Sequence, residues 1–259
     1  MNKIWEVQKA IKFATKTHEI YQKQKRKGKD VSYIVHPLTV GIILSGIGAD
    51  TDIVCAGILH DTIEDSIPEK KVTFEMLEKR FGKRTAQAVL DVSETNKDLS
   101  WDDRKLEALE HIKSFSHDSL LVKSADVISN LTELIEDYDK EGEQIFLRFN
   151  APKNKKIRHS LETITAIIDR WPDNPLVQNL QSLAYKLQMI GANEFMAESP
   201  AKIIEYEEQK EISGLECPVC HWKGTMEEGV SEYYDMLMDI SCPNCDKIIL
   251  VINYPLAKG

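Results

Sequence analysis

No run of apolar residues in this 259-residue chain reaches the roughly 20 that a membrane-spanning helix needs, so no membrane partner is expected. The opening Met1-Asn2-Lys3-Ile4-Trp5-Glu6 lacks the apolar block of a secretory signal, which makes cytoplasmic the expected location. A basic excess is also missing. The formal net charge is −9, which disfavours nucleic acid as a partner. It leaves room for a small anion beside a local cluster such as Lys23, Lys25, Arg26, Lys27 and Lys29. Internal repeats are absent, and before residue 205 so is any period-2 stretch long enough to build a sheet. Cysteine is scarce and unevenly placed. Cys55 stands alone in an apolar segment and reads as a small buried hydrophobe.

The remaining four cysteines form Cys217-Pro-Val-Cys220 and Cys242-Pro-Asn-Cys245, separated by 21 residues. In an intracellular chain, two such pairs read as a structural Zn²⁺ site held by Cys217, Cys220, Cys242 and Cys245 rather than as disulfides. Upstream, helical periodicity dominates. Ile4, Val7, Ile11 and Ala14 start a first amphipathic helix, and Leu38–Gly46 follows the Pro37 that suits a first helical turn. A further helix leads into His60, capped by Thr51 or Asp52, and Thr73 opens another. The long segment Asp118–Tyr138 is apolar and helical, and Gly142 breaks it. The fold class expected is an all-α bundle over residues 1–195, a linker over 196–209, and a small β-rich module over 210–259. A module of that size draws much of its folding energy from its metal.

The stretch with most chemistry is Ile58–Ser66, which packs His60, Asp61, Glu64 and Asp65 into little more than two helical turns. At 3.6 residues per turn Glu64 shares a face with His60, and Asp65 with Asp61. Burying such an acidic cluster is costly unless a cation neutralises it. Two partners stand out. His36 precedes Pro37 at a helix start, and Asp126 sits in an apolar helix with no evident salt-bridge partner. The resulting His-His-Asp-Asp set suits Mn²⁺, Fe²⁺ or Zn²⁺.

That pattern resembles the HD phosphohydrolase superfamily. Arg26-Lys27, Tyr33-Ile34-Val35-His36-Pro37, Leu59 to Asp65 and Asp126-x-x-x-Asn130 look like the hydrolase domain of RelA/SpoT proteins, over roughly residues 5–190. With no room for a synthetase half, the chain is most similar to the stand-alone small alarmone hydrolases. Ser100 to Lys105 resembles a Trp-containing, Arg-Lys-ending stretch of that group. The resemblance implies an HD-domain helical bundle and one Mn²⁺ held by His36, His60, Asp61 and Asp126. It also implies removal of the 3′-pyrophosphate from guanosine tetra- or pentaphosphate.

Glu64 is placed to orient or deprotonate water, with Asp65 beside it. Arg26 and Lys27 would neutralise phosphate, as would Lys97, Arg104 and Lys105. Asn130 would hydrogen-bond the nucleoside; Tyr33 would pack on it or, like Trp101, serve as a core or rim residue. Arg104 and Lys105 also have a plainer reading as helix-surface partners of Asp102 and Glu107. His18 reads as a packed helix histidine, His111 and His117 as surface residues. The chain departs from the family at Val127 and Ser129, where a basic residue and a His are usual, and in a loop before His36 one residue longer. An HD phosphohydrolase acting on another phosphorylated nucleotide or cofactor is therefore the alternative. A non-catalytic nucleotide-sensing or partner-binding protein is the third reading. The zinc-ribbon-like module reads as a structural appendage, with a homodimer contact as its hypothetical further role.

Overall fold

Asp50 settles where the helix leading into His60 begins, because its carboxylate accepts the backbone N–H groups of Asp52 and Ile53. Asp50, with extended backbone, is thus the N-cap in place of the expected Thr51 or Asp52. The computed structural model describes residues 3–94, 96, 99–197, 202–218, 220–234, 237–245 and 247–253. The chain divides into two compact units, residues 1–188 and 189–259.

In the first unit, α1 (Lys3–Thr15) continues into a π-helical turn, Lys16–Tyr21. Residues 25–32 form a loop closed by one antiparallel bridge between Lys25 and Ser32. The β-branched Val31–Val35 builds no strand: α2 (Val35–Gly46) starts at its end. α3 (Thr51–Leu59) stops before His60, and α4 (Thr62–Asp65) resumes after Asp61. α5 (Phe74–Phe81) carries the Thr73 cap, whose hydroxyl accepts the Met76 N–H. Then follow α6 (Lys83–Val92), α7 (Trp101–Ile112) and the 25-residue α8 (His117–Glu141), which ends at Gly142 with φ 66°. Residues Gly142–Arg148 form 3₁₀ turns rather than a resumed α-helix. α9 (Lys153–Arg170) and α10 (Val177–Ala197) complete the helices.

α2, α3 and α8 pack on one another around Val40, Leu44, Ile53, Ala56, Leu59 and Leu131. The α2–α3 crossing is close because two glycines face it. A Cβ added at Gly57 would overlap Leu44 and crowd Val40, and one at Gly41 would overlap Ile58. This approach brings the start of α2, with His36, against the end of α3, with His60.

The second unit contains the segment expected as a linker. Its β1 (Lys202–Glu205) pairs in parallel with β6 (Ile248–Asn253). β6 pairs antiparallel with β5 (Leu237–Ser241), and β5 with β4 (Val230–Tyr234), giving the order β1-β6-β5-β4. β2 (Leu215–Glu216) and β3 (Lys223–Gly224) form a separate ribbon. The core joins Ile204, Met238, Ile240, Leu250 and Ile252 to Cys217 and Cys242. β1 was not legible as structure because it contributes a single buried side chain, Ile204.

Gly57→Val overfills the α2–α3 crossing against Leu44 and Val40, both fully buried. It is expected to lower unfolding stability by about 1–3 kcal/mol in urea denaturation. An unchanged midpoint would show the crossing to be looser than described.

Candidate metal centre and substrate cavity

Ending α3 at Leu59 leaves carbonyls of its last turn for side chains. The Gly57 carbonyl takes His60 Nδ1–H at 2.8 Å, and the Leu59 carbonyl takes the Thr62 hydroxyl at 2.6 Å. With Nδ1 protonated, neutral His60 presents its Nε2 lone pair inward. His36, at the start of α2, is held through Nδ1 by the Ser129 hydroxyl at 2.9 Å, so its Nε2 also points inward. The two Nε2 atoms lie 3.2 Å apart. Asp61 Oδ2 lies 3.1 Å from His60 Nε2 and 3.7 Å from His36 Nε2. Asp126 Oδ1 lies 3.3 Å from His36 Nε2 and 3.7 Å from His60 Nε2.

Both histidines are 2% exposed. Two imidazole lone pairs and two carboxylates turned to one point repel one another unless a proton or a cation stands between them. Spacings of roughly 3 Å are those of ligands about 2.1 Å from a common ion. His36, His60 and Asp61 lie within 4.8 Å of one another and so fit a divalent metal, with Asp126 facing both histidines from the other side. Around them, Asn130 Nδ2 donates to Asp126 Oδ1 at 2.6 Å and the Tyr33 hydroxyl donates to Asp61 Oδ2. Lys123 Nζ lies 2.9 Å from Asp126 Oδ2. Asp126 thus does have a salt-bridge partner, one helical turn upstream, contrary to the reading of it as a lone acid.

The charges follow from this packing. Burial alone would raise Asp126, but Lys123 and the two histidines hold it well below the usual carboxylate range. Asp61 is likewise held low, chiefly by His60. Burial lowers His60, yet Asp61 and Asp126 outweigh it and raise His60 well above its ordinary value. Burial and the nearby Asp61 keep the Tyr33 phenol protonated. Glu64 behaves differently: burial, then Asp61 and Glu94, push it up to about 7. Its Oε2 accepts the Glu94 N–H at 3.1 Å.

A cavity of about 530 Å³ opens beside this centre. Its lining includes Arg26, Lys27, Tyr33, Arg104, Lys105 and Asn130, all singled out from sequence, together with Glu64. A second cavity of about 200 Å³ shares Tyr33, Glu64, Lys105 and Asn130, and reaches Asp61 and Asp126. Lys97 lies outside the described residues. Arg26 is braced by Asn130 Oδ1 at 2.9 Å and by Glu133 at 2.6 Å. Lys27 Nζ donates to Asn150 Oδ1 at 3.4 Å. Lys105 and Arg104 pair with Glu94, not with Asp102 or Glu107. Asp65 accepts from Gln24 Nε2 at 2.8 Å. Of the other histidines, His18 is fully buried and His117 stacks on Trp171.

Sequence reasoning missed Lys156 and His159 on α9, which line both cavities or the smaller one. Burial and the neighbouring Lys105 lower Lys156 to about 8. Burial, then Lys105, Lys123 and Lys156, lower His159 to about 4. The only available signal was the i, i+3 spacing of these two residues beside the buried stripe Ile157, Ser160 and Ile164.

In the second unit, the four cysteine Sγ atoms all lie within 4.8 Å of one another. Cys217 and Cys245 are 3.5 Å apart, Cys220 and Cys242 3.4 Å, and none is disulfide-bonded. Four thiolates at about 2.3 Å from one tetrahedral ion fit such spacings. The two turns match: Cys217 N–H donates to Trp222 O and Cys242 N–H to Lys247 O, both at 2.8 Å. His221 takes the left-handed backbone, φ 59°, that the first turn requires.

A helical bundle that brings two buried histidines and two aspartates to the wall of a cation-lined cavity has the make-up expected of a metal-dependent phosphohydrolase. The chain belongs to the HD domain family, whose model matches residues 10–154. It is 36% identical over 126 residues to a Danio rerio guanosine-3′,5′-bis(diphosphate) 3′-pyrophosphohydrolase, the match covering 48% of this chain and 66% of that one. An enzyme of the same name from Aquifex aeolicus is 39% identical over 92 residues, 36% of this chain and 12% of the relative. The chain therefore spans about two thirds of the animal relative's length and a small part of the bacterial one. The fold matches a metazoan ortholog of SpoT, itself described as hydrolysing ppGpp, with TM-score 0.55 at 22% identity over 73% of this chain and 95% of that one. A Listeria monocytogenes EGD-e protein matches with TM-score 0.52 at 27% identity, over 60% of this chain and 97% of that one.

Two outcomes follow from the charges and the cysteines. The folded protein keeps Glu64 protonated up to about pH 7, where the unfolded chain has already ionised it. Folding is therefore penalised increasingly as pH rises through that window. In EDTA, Glu64→Gln is expected to raise the melting temperature at pH 8 and leave it unchanged at pH 5; equal effects at both would contradict the raised value. In the full chain, Cys242→Ala is expected to abolish metal binding by the second unit and its strand signal in circular dichroism while the helical signal persists. Retention of the strand signal would show that the sheet does not depend on the metal.

Proposed function

We propose that this protein is a metal-dependent hydrolase that removes the 3′-pyrophosphate from guanosine tetra- or pentaphosphate, giving GDP or GTP. Residues 1–195 form the catalytic domain, with Mn²⁺ held by His36, His60, Asp61 and Asp126, and residues 210–259 form a module stapled by structural Zn²⁺. The observation that carries the reading is the convergence of these four donors beside a buried carboxyl, Glu64, raised to about 7 at the wall of the cavity. The names of the animal and bacterial relatives support the substrate class.

When bound, the cation polarises a phosphoryl oxygen and makes water more acidic. Glu64 accepts a proton from the attacking water as that water's oxygen bonds to phosphorus. The bond from phosphorus to the ribose 3′ oxygen breaks, and that oxygen leaves with the electron pair and gains a proton. Asp65 orients the water beside Glu64. Lys156 lines both cavities with its ammonium over the Phe149 ring, so it meets the transferred phosphoryl oxygens without first displacing a carboxylate. Arg26, fixed by Asn130 and Glu133, offers a pre-set guanidinium fork. Tyr33, already donating to Asp61, packs its ring against the bound nucleotide.

A second reading, hydrolysis of another phosphorylated nucleotide, is favoured by Val127, which lines the smaller cavity where the family carries a basic residue. The test is release of pyrophosphate from guanosine tetraphosphate by the Mn²⁺-loaded full chain, run beside a nucleotide panel. Glu64→Gln is expected to lower kcat about 100-fold or more. Lys156→Ala is expected to act mainly on KM. A folded, metal-loaded protein that releases no pyrophosphate would overturn the substrate assignment.

A further inference from the structure

Between the first helix and the loop that carries Arg26 and Lys27, Gln24 is bonded on every side. Its backbone N–H donates to His18 O at 2.8 Å and its carbonyl accepts the Tyr33 N–H at 3.0 Å. Its carboxamide spans His18 and Asp65, with Oε1 2.8 Å from His18 Nδ1 and Nε2 2.8 Å from Asp65 Oδ2. His18 lies in the π-helical turn Lys16–Tyr21 and is fully buried, its ring 5.1 Å from that of Tyr33. A π-turn is less stable than a continued α-helix and recurs at functional sites.

Donor and acceptor counting fixes the protons. A carboxylate only accepts, so the Gln24 NH₂ faces Asp65 and its oxygen faces His18. His18 Nδ1 must then carry the hydrogen, and Nε2 is left as a lone pair. Nε2 is the buried His18 atom that finds no partner among the described residues. The opposite amide orientation would set an oxygen against the carboxylate and leave a buried N–H unpaired, which costs more than an unused acceptor.

Asp65 needs such a brace. It ends α4, a helix of four residues that cannot hold its own side chains rigidly. We propose that Gln24, set by the buried His18, is a positioning residue that holds the Asp65 carboxylate in its working orientation. This rests on the reading above, in which Asp65 orients water beside Glu64. It adds a physical tie: the loop that presents Arg26 and Lys27 to the cavity also holds the acid, so the phosphate-binding and water-handling groups keep one spacing.

The experiment combines kinetics with a spectroscopic readout on the full chain. Gln24→Met keeps the shape of the side chain and removes both bonds. It is expected to lower kcat about tenfold, with KM within about twofold and Mn²⁺ affinity unchanged, as for an outer partner of a functional group. Asp65→Asn should lower kcat on its own, and adding Gln24→Met should then cost nothing more, because the group being positioned is already lost. His18→Asn restores an N–H near the Nδ1 position and should keep most of the rate; His18→Leu should not. In the metal-free protein, ¹⁵N chemical shifts should report the Nδ1–H tautomer of His18. Losses that multiply in the double variant, a loss seen in KM or metal affinity instead of kcat, or an Nε2–H tautomer would each overturn the proposal. Turnover of another nucleotide but not guanosine tetraphosphate would overturn the substrate assignment alone, and the same cycle is then decided on the nucleotide that is turned over. If no nucleotide is turned over, the proposed function fails and the His18 tautomer still decides whether the brace exists.

Discussion

Two imidazole Nε2 atoms 3.2 Å apart, each facing a carboxylate, make a buried arrangement that is repulsive without a shared positive charge. Much of the first unit can be understood as holding it in place. The glycines at the α2–α3 crossing let His36 and His60 approach. The interruption between α3 and α4 turns His60 inward by giving its Nδ1–H to the Gly57 carbonyl. Ser129, Asn130 and Lys123, three residues of α8, brace His36 and Asp126. Without an ion a proton on His60 supplies that charge; a divalent cation held there would supply it instead, and metal binding would then be coupled to the stability of this unit, as it would be in the four-cysteine module.

Lys123 shows how finely this charge is balanced. A cation beside Asp126 competes in principle with the metal for the same carboxylate. The geometry divides the oxygens between them: Oδ2 faces Lys123, Oδ1 faces the histidines and Asn130. One carboxylate is thus an ion-pair partner through Oδ2 and free to serve as the proposed ligand through Oδ1.

The four residues proposed to hold metal stood out in the sequence because a His before Pro37, the His60-Asp61 pair and an acid inside an apolar helix each break a local rule. The cavity wall was legible only in part. Arg26, Lys27 and Asn130 announce themselves through the motif, whereas Lys156 depends on the rotation of α9 about its own axis, which no short pattern encodes. The π-turn at Lys16–Tyr21 keeps an ordinary helical periodicity in sequence, so His18 reads as a packed residue and its bond to Gln24 stays hidden. β1 escaped because one buried side chain in four residues gives no period-2 signal. The cap at Asp50 was missed by a single position, since Thr51 and Asp52 are both cap-forming types and only backbone geometry chooses among them.

The cations around the larger cavity are not equivalent, and the difference bears on where substrate charge can sit. Lys29 is tied to Glu133 and Asp137, Arg148 to Asp137 and Glu141, Arg26 to Glu133, and Lys105 to Glu94. These pairs bring the wall formed by α8 and the loops close to neutrality. Lys156 lies over the Phe149 ring and has no carboxylate ion pair among the described residues, and burial with Lys105 holds it near 8. An anion placed there relieves that repulsion and raises the lysine back toward its ordinary value, whereas an anion among the paired cations must first displace a carboxylate. In the proposed function, the densest phosphate charge of a nucleotide would thus be drawn to the α9 side, on the cavity that Asp61 and Asp126 also line. The wall carrying Leu131, Leu134, Ile145 and Phe149 is left for less charged parts of the molecule.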